Sequence, residues 1–214
     1  YITSVTLNSN GTACAVTGLS TVNGKVVSAV YILDFSKEEP EQVVNIEGDV
    51  IIASKFITDN RIALVGNAAS YVVKKGDENF ITNSYDSMTL SNYFFNMDTS
   101  TYYVALSRSG DGGSCSVFTY DSNGSQKSKV DTDSRADSIS VYKDKIALLD
   151  SNVANVYNTN GDKVFETETG AGSKRIILSS DTTAYVLSVN QIRFLELNNN
   201  SQKATDSVST KDNA

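Results

Sequence analysis

The chain has 214 residues, 40% of them hydrophobic and 20% charged, with a formal net charge of −7. That length fits one or two ordinary domains, and the balance is that of a globular rather than a disordered protein. An acidic surface without a basic stripe argues against nucleic acid as a partner, and no apolar run approaches the ~20 residues of a membrane helix.

Strands are predicted from end to end, because β-branched residues and eleven tyrosines suit a pleated, half-buried surface. The first repeat reads as strands over 2–7, 12–17, 26–35 and 42–46, and the second over 50–56, 61–65, 70–73 and 80–83. The third gives 89–95, 101–107, 114–120 and 125–130, and the fourth 138–141, 145–149, 153–157 and 163–168. The fifth shows only 174–178, 183–187 and 191–197 clearly, although the tail over 202–208 could supply an outer strand. The charged stretch Ser36 to Glu41 contains Pro40, so it is an exposed loop rather than a helix.

One phrase marks every repeat: an apolar run, a small polar turn, and a second apolar run at once. Its turns are Asn8-Ser9-Asn10-Gly11, Thr58-Asp59-Asn60, Asn96-Met97-Asp98-Thr99-Ser100, Lys143-Asp144 and Ser179-Ser180-Asp181-Thr182. They recur with a period of roughly 40 residues, as propeller blades do. Asn10-Gly11, Asn23-Gly24, Asn123-Gly124 and Asn160-Gly161 are hairpin dipeptides, since both residue types tolerate positive φ. First and second strands such as Val50-Ile51-Ile52-Ala53 are apolar throughout and predict burial on both faces. Fourth strands such as Ser125 to Val130 are polar and suit an outer edge. The architecture expected is therefore an all-β propeller with five visible four-stranded repeats over about 2–47, 48–87, 88–135, 136–169 and 170–197, followed by a polar tail or closing strand over 198–214.

The missing residue types limit the chemistry. Without histidine there is no Ser-His-Asp or Cys-His nucleophile system and no imidazole metal ligand. Cys14 and Cys115 lie two repeats apart, so they are read as small buried apolar residues rather than a disulfide. Most Asp side chains fall in turns, where they cap their own backbone. Asp131-Thr132-Asp133 offers oxygen ligands to calcium, but Arg135 follows and would repel a cation, so a solvated loop is favoured. Gly110-Asp111-Gly112-Gly113 joins two strands and leads into no helix, which makes it a hairpin loop rather than a phosphate cradle. Tyr85, Tyr93, Tyr102, Tyr103 and Tyr120 cluster in the third repeat, either exposed for a ligand or filling the space between sheets. No cofactor and no metal are expected.

The apolar–Ser/Asn–Asp/Asn–Gly/Thr–apolar phrase resembles the first-to-second strand step of WD40-like and YVTN-type β-propellers over essentially residues 2–197. With no Trp and no His, the Trp-Asp and Gly-His pairs of true WD40 repeats are lacking, and their hydrogen-bond network is not carried over. The Asn/Ser/Lys-rich repeats also resemble a family of Gram-positive bacterial propellers of unknown function. That resemblance implies an extracytoplasmic or cell-surface domain tethered by an N-terminal segment. The chain begins at Tyr1 inside a strand-like run, so upstream residues are expected, including any anchor and further blades of a ring of seven or eight.

These readings predict a non-enzymatic binding or scaffolding domain that meets a protein or carbohydrate ligand at one face of the propeller. The loops of that face supply the candidates Tyr85, Arg108, Asp111, Asp133 and Arg135. Two alternatives stay open. A carboxylate-dependent carbohydrate-active enzyme would bring three acids into one deep cleft. A structural cell-envelope component would show a large exposed apolar patch.

Overall fold

The computed structural model describes residues 1–108, 110 and 113–197, together with the backbone of 205–208. Among the described residues there is no helix, and twenty strands form five four-stranded antiparallel sheets, each running up and down in sequence order. The first sheet contains β1 (Ile2–Leu7), β2 (Ala13–Val22), β3 (Lys25–Asp34) and β4 (Gln42–Glu47). The second contains β5 (Ile51–Thr58), β6 (Arg61–Gly66), β7 (Ala69–Lys74) and β8 (Phe80–Ser84). The third contains β9 (Met88–Asn96), β10 (Thr101–Arg108), β11 (Cys115–Tyr120) and β12 (Gln126–Thr132). The fourth contains β13 (Ser138–Tyr142), β14 (Lys145–Asp150), β15 (Val153–Asn158) and β16 (Lys163–Glu168). The fifth contains β17 (Ser173–Ser180), β18 (Thr183–Ser188), β19 (Ile192–Glu196) and β20 (Thr205–Val208).

The described residues fall into two compact units. The first holds residues 1–90, 95–104 and 119–127, and the second holds 91–94, 105–118 and 128 onward.

In the first unit, Ala13, Ala15, Val30 and Ile32 of the first sheet pack against Ile51, Phe56, Ile62 and Leu64 of the second. Fully burying a side chain of this size contributes about 1.5–3 kcal/mol. The period of two puts Val5, Val16, Tyr31 and Val43 in register on the opposite face of the first sheet, where Val5, Tyr31 and Val43 are exposed. The hairpin of β2 and β3 is longer than the sequence predicts. Its distal arm, Leu19 to Val22, pairs with Lys25 to Ser28 and is mostly exposed, so it carries no apolar signal. Asn23 and Gly24 close it with φ of 51° and 76°, as a primed two-residue turn requires.

The second unit repeats the scheme. Ala147, Leu149, Ala154 and Val156 of the fourth sheet pack on Ile176, Leu178, Val186 and Leu195 of the fifth. The opposite face of the fifth sheet exposes Ile177, Tyr185, Leu187 and Ile192. The fourth strand expected from the tail is present: β20 pairs with β19 through Ile192↔Val208 and Phe194↔Thr205. The rest of the predicted tail, 198–204 and 209–214, lies outside the described residues.

Short hydroxyls tie first strands together within each unit. The Ser54 amide donates to Ser4 Oγ at 3.1 Å, and the Ser54 hydroxyl donates to the same oxygen at 2.8 Å. In the second unit, the Ile176 amide donates to Ser138 Oγ at 3.2 Å, and the Leu178 amide donates to Ser140 Oγ at 3.0 Å. The serines at alternate positions of these first strands therefore bridge from one sheet to the backbone of the next. Cys14 and Cys115 are both free and buried, as the sequence predicts, and burial raises each thiol pKa.

Candidate functional site

Two adjoining cavities in the second unit gather four exposed cations. The first, of about 680 Å³, is lined by Arg108 at the end of β10, Gly110 and Gly113 of the following loop, and Arg135 of the β12–β13 connection. Ser91 and Ser107 also line it and share a hydrogen bond of 2.6 Å. Gly113 has φ of 112°, and a Cβ there would lie 3.1 Å from Arg135 Nε. A glycine therefore lets the Arg135 side chain lie against the loop backbone.

The connection that carries Arg135 is well held. Thr132 Oγ1 donates to the Cys115 carbonyl at 2.9 Å, and the Arg135 amide donates to Asp150 Oδ2 at 3.1 Å. The Asp137 amide donates to the Leu149 carbonyl at 2.9 Å, and its Oδ2 accepts the Ser151 amide at 2.8 Å. The guanidinium of Arg135 is thus presented from a fixed backbone.

The second cavity, of about 460 Å³, shares Asp137 with the first and is lined by Tyr93, Phe94, Lys174, Arg175 and Ile177 among others. Arg108, Arg135, Lys174 and Arg175 are all exposed. Among the described lining residues these four are the cations and Asp137 is the one carboxylate. Every ion pair among the described residues uses a lysine elsewhere: Lys37, Lys74, Lys75, Lys129, Lys143 or Lys163. Asp131, which feels the charge of Arg108 at a distance, has its carboxylate held by Lys129 at 2.7 Å and Ser116 at 2.5 Å. A chain of net charge −7 therefore places a surplus of positive charge here. Guanidinium groups present flat, forked donors that match carboxylates.

Of the predicted site residues, the structure brings Arg108 and Arg135 together. Asp133 engages other groups: its Oδ1 accepts the Tyr157 hydroxyl at 2.5 Å and its Oδ2 lies 2.9 Å from Lys163 Nζ. These contacts, Tyr157 first, hold its pKa below the usual carboxylate range. With Lys129 on Asp131 and Lys163 on Asp133, a lysine ammonium meets each carboxylate of the Asp131-Thr132-Asp133 run. Tyr85 corrects the expectation of a face residue. It is 0% exposed in the first unit, because it packs into the core that also buries Tyr102 and Tyr120, whose rings stack at 5.2 Å. Asp111 lies outside the described residues.

Sequence reasoning missed Lys174 and Arg175 as site residues: it places them correctly at the opening of an apolar strand, but that pattern does not show that both are exposed there. It also missed Asp49. This carboxylate is 4% exposed and accepts the amides of Val50, Asn67, Ala68 and Ala69 and the Tyr71 hydroxyl, over 2.7 to 3.2 Å. Burial first, then this hydrogen bond, raises the Tyr71 pKa. Gly66 makes room for the carboxylate, since a Cβ there would lie 2.2 Å from Asp49 Oδ2. Other acids cap their own turns, as expected: Asp121 Oδ1 accepts the amides of Asn123 and Ser125.

Known proteins share this arrangement of sheets. The model of one family matches residues 1–197. The chain belongs to the family of unknown function DUF5711. This DUF5711 chain resembles Sqt1 from Chaetomium thermophilum with a TM-score of 0.69 at 15% identity, over 98% of its own length and 61% of the other. It resembles Kluyveromyces lactis Hsv2 with a TM-score of 0.57 at 14% identity, over 93% of its length and 74% of the other. A protein of unknown function from Bacteroides caccae gives a TM-score of 0.55 at 12% identity, over 92% and 73%. No curated protein sequence matches the DUF5711 chain. Sqt1 and Hsv2 are WD40-type β-propellers, and the fold of this all-β chain is a β-propeller.

Proposed function

We propose that this chain is a non-enzymatic binding domain and that its ligand meets the two cavities of the second unit. One observation carries the reading: Arg108, Arg135, Lys174 and Arg175 surround a single lining carboxylate, Asp137, and none of the four is spent on an ion pair among the described residues. The acids elsewhere favour binding over hydrolysis. Asp34, Asp131 and Asp133 are held ionised by lysines and hydroxyls, with lowered pKa values. A general acid for glycoside cleavage needs the opposite shift.

The test compares wild type with Arg108→Glu/Arg135→Glu on immobilised peptide and glycan arrays, with release of reducing ends measured alongside. Retention that the charge reversal abolishes, without turnover, is the expected result. Steady hydrolysis of any arrayed glycan by the wild type overturns the reading.

The exposed apolar faces of the first and fifth sheets favour a second reading, a structural role in which these faces are covered within a larger assembly. Sedimentation of the purified protein over a range of concentrations tests it, and a monomer throughout counts against it. An extracytoplasmic, tethered setting rests on the resemblance of the Asn/Ser/Lys-rich repeats to surface propellers, and cell fractionation of the whole gene product tests it.

A further inference from the structure

We infer that the ligand of these cavities is an acidic peptide segment that carries an apolar side chain. The inference rests on the binding reading above and names its partner class. Three observations lead to it. First, the cations are divided between the cavities, with Arg108 and Arg135 in one and Lys174 and Arg175 in the other. A single small anion meets one pair at most, whereas an extended segment with several carboxylates meets both. Second, the cavities join at Asp137, and their volumes of about 680 and 460 Å³ each suit a few side chains rather than a lone ion. Third, the cations of the second cavity sit beside Phe94 and the exposed Ile177. Such a mixture suits an apolar side chain flanked by acids better than the uniformly polar surface of an acidic sugar polymer.

Charge complementarity sets the mode of binding. Exposed guanidinium and ammonium groups steer an anionic partner and lose strength as salt screens them. The bonded pair of Ser91 and Ser107 hydroxyls leaves one O–H to donate in the first cavity. Asp137 is the one negative charge of the lining, set against four cations, and its Oδ2 accepts the Ser151 amide.

Fluorescence anisotropy tests the inference with a fluorescein-labelled peptide of glutamates around one leucine, its glutamine counterpart, and an oligogalacturonate. The glutamate peptide should bind, and the glutamine counterpart should bind about tenfold more weakly, which is the loss expected of a few screened ion pairs. Arg108→Gln/Arg135→Gln should weaken the glutamate peptide by about tenfold, and Ile177→Ser by about threefold. Thermal unfolding of each variant should match wild type, since these positions are exposed. Equal binding of the two peptides, unchanged affinity in the double variant, or no binding by the glutamate peptide each overturns the inference. Arginine-dependent binding of the oligogalacturonate without the peptide also overturns it, yet leaves the binding reading intact. That broader reading falls only to catalytic turnover in the array experiment.

Discussion

Asp49 and Asp137 occupy the same step of the repeat, just ahead of a first strand, and each reaches the turn between second and third strands of its own sheet. Their surroundings differ. Asp49 is buried and takes four amides and a tyrosine hydroxyl, whereas Asp137 is exposed and its carboxylate takes the Ser151 amide. In the first unit the acid locks a turn shut. In the second it stands at the junction of two cavities lined by cations. One repeated position therefore serves stability in one unit and lies exposed between two cavities in the other, so function is better sought where the repeat relaxes than where it is most regular.

Removing the lock should have the largest effect. Asp49→Ala leaves buried amides and the Tyr71 hydroxyl without an acceptor, and is expected to lower stability by about 3–5 kcal/mol. Denaturant unfolding measures this, and a loss below about 1 kcal/mol would erase the contrast with Asp137. Gly66→Ala should cost about 1–3 kcal/mol by pressing on the carboxylate. In the Asp49→Ala background the same glycine substitution should cost less, because the clashing oxygens are gone, and a double-mutant cycle reads that coupling directly.

Alkaline titration should sharpen the comparison further. Burial, assisted by Asp133, raises the Tyr157 pKa to about 12, and burial raises Tyr102 to about 12. Because the folded values lie above the ordinary value near 10, this stability is fully present below about pH 10 and is lost as pH rises through about 12. The tyrosinate absorbance that Tyr102→Phe and Tyr157→Phe remove should therefore appear late and together with unfolding. Early titration of these phenols while the fold persists would contradict their burial. At the acid end the sign reverses. Lys75 and Ser36 hold Asp34 below its ordinary value, and Tyr157 and Lys163 do the same for Asp133. Their contribution is present above about pH 4 and fades as pH falls through the lowered values. The smallest effect belongs to Asp137→Asn, which should change stability by less than about 1 kcal/mol because one exposed acceptor is involved.

Much of the fold was legible because its signals are local. Apolar runs, Asn-Gly turns and the recurring phrase are written in neighbouring residues, and they place the described strands of all five sheets closely. The candidate site was only partly legible. Arg108 ends a strand beside a polar loop and Arg135 stands in one, so both show as loop residues, but Lys174 and Arg175 share their segment with an apolar strand that hides their exposure. Tyr85 misleads for the converse reason. Its neighbours Ser84, Asp86 and Ser87 are polar and exposed, while its burial comes from parts of the chain far away in sequence. Asp49 looks like an ordinary turn residue beside Gly48, because its partners are backbone amides near residue 68, which no side-chain pattern announces.

The hydroxyl bridges between first strands have a bearing on how such a chain can grow. Each requires one serine or threonine oxygen to accept and a backbone amide to donate, which every residue except proline supplies. The chain's single proline is Pro40, in a loop away from all first strands. A unit duplicated by recombination would thus find a compatible neighbour wherever it was inserted, with no matched pair of bulky side chains to evolve beforehand.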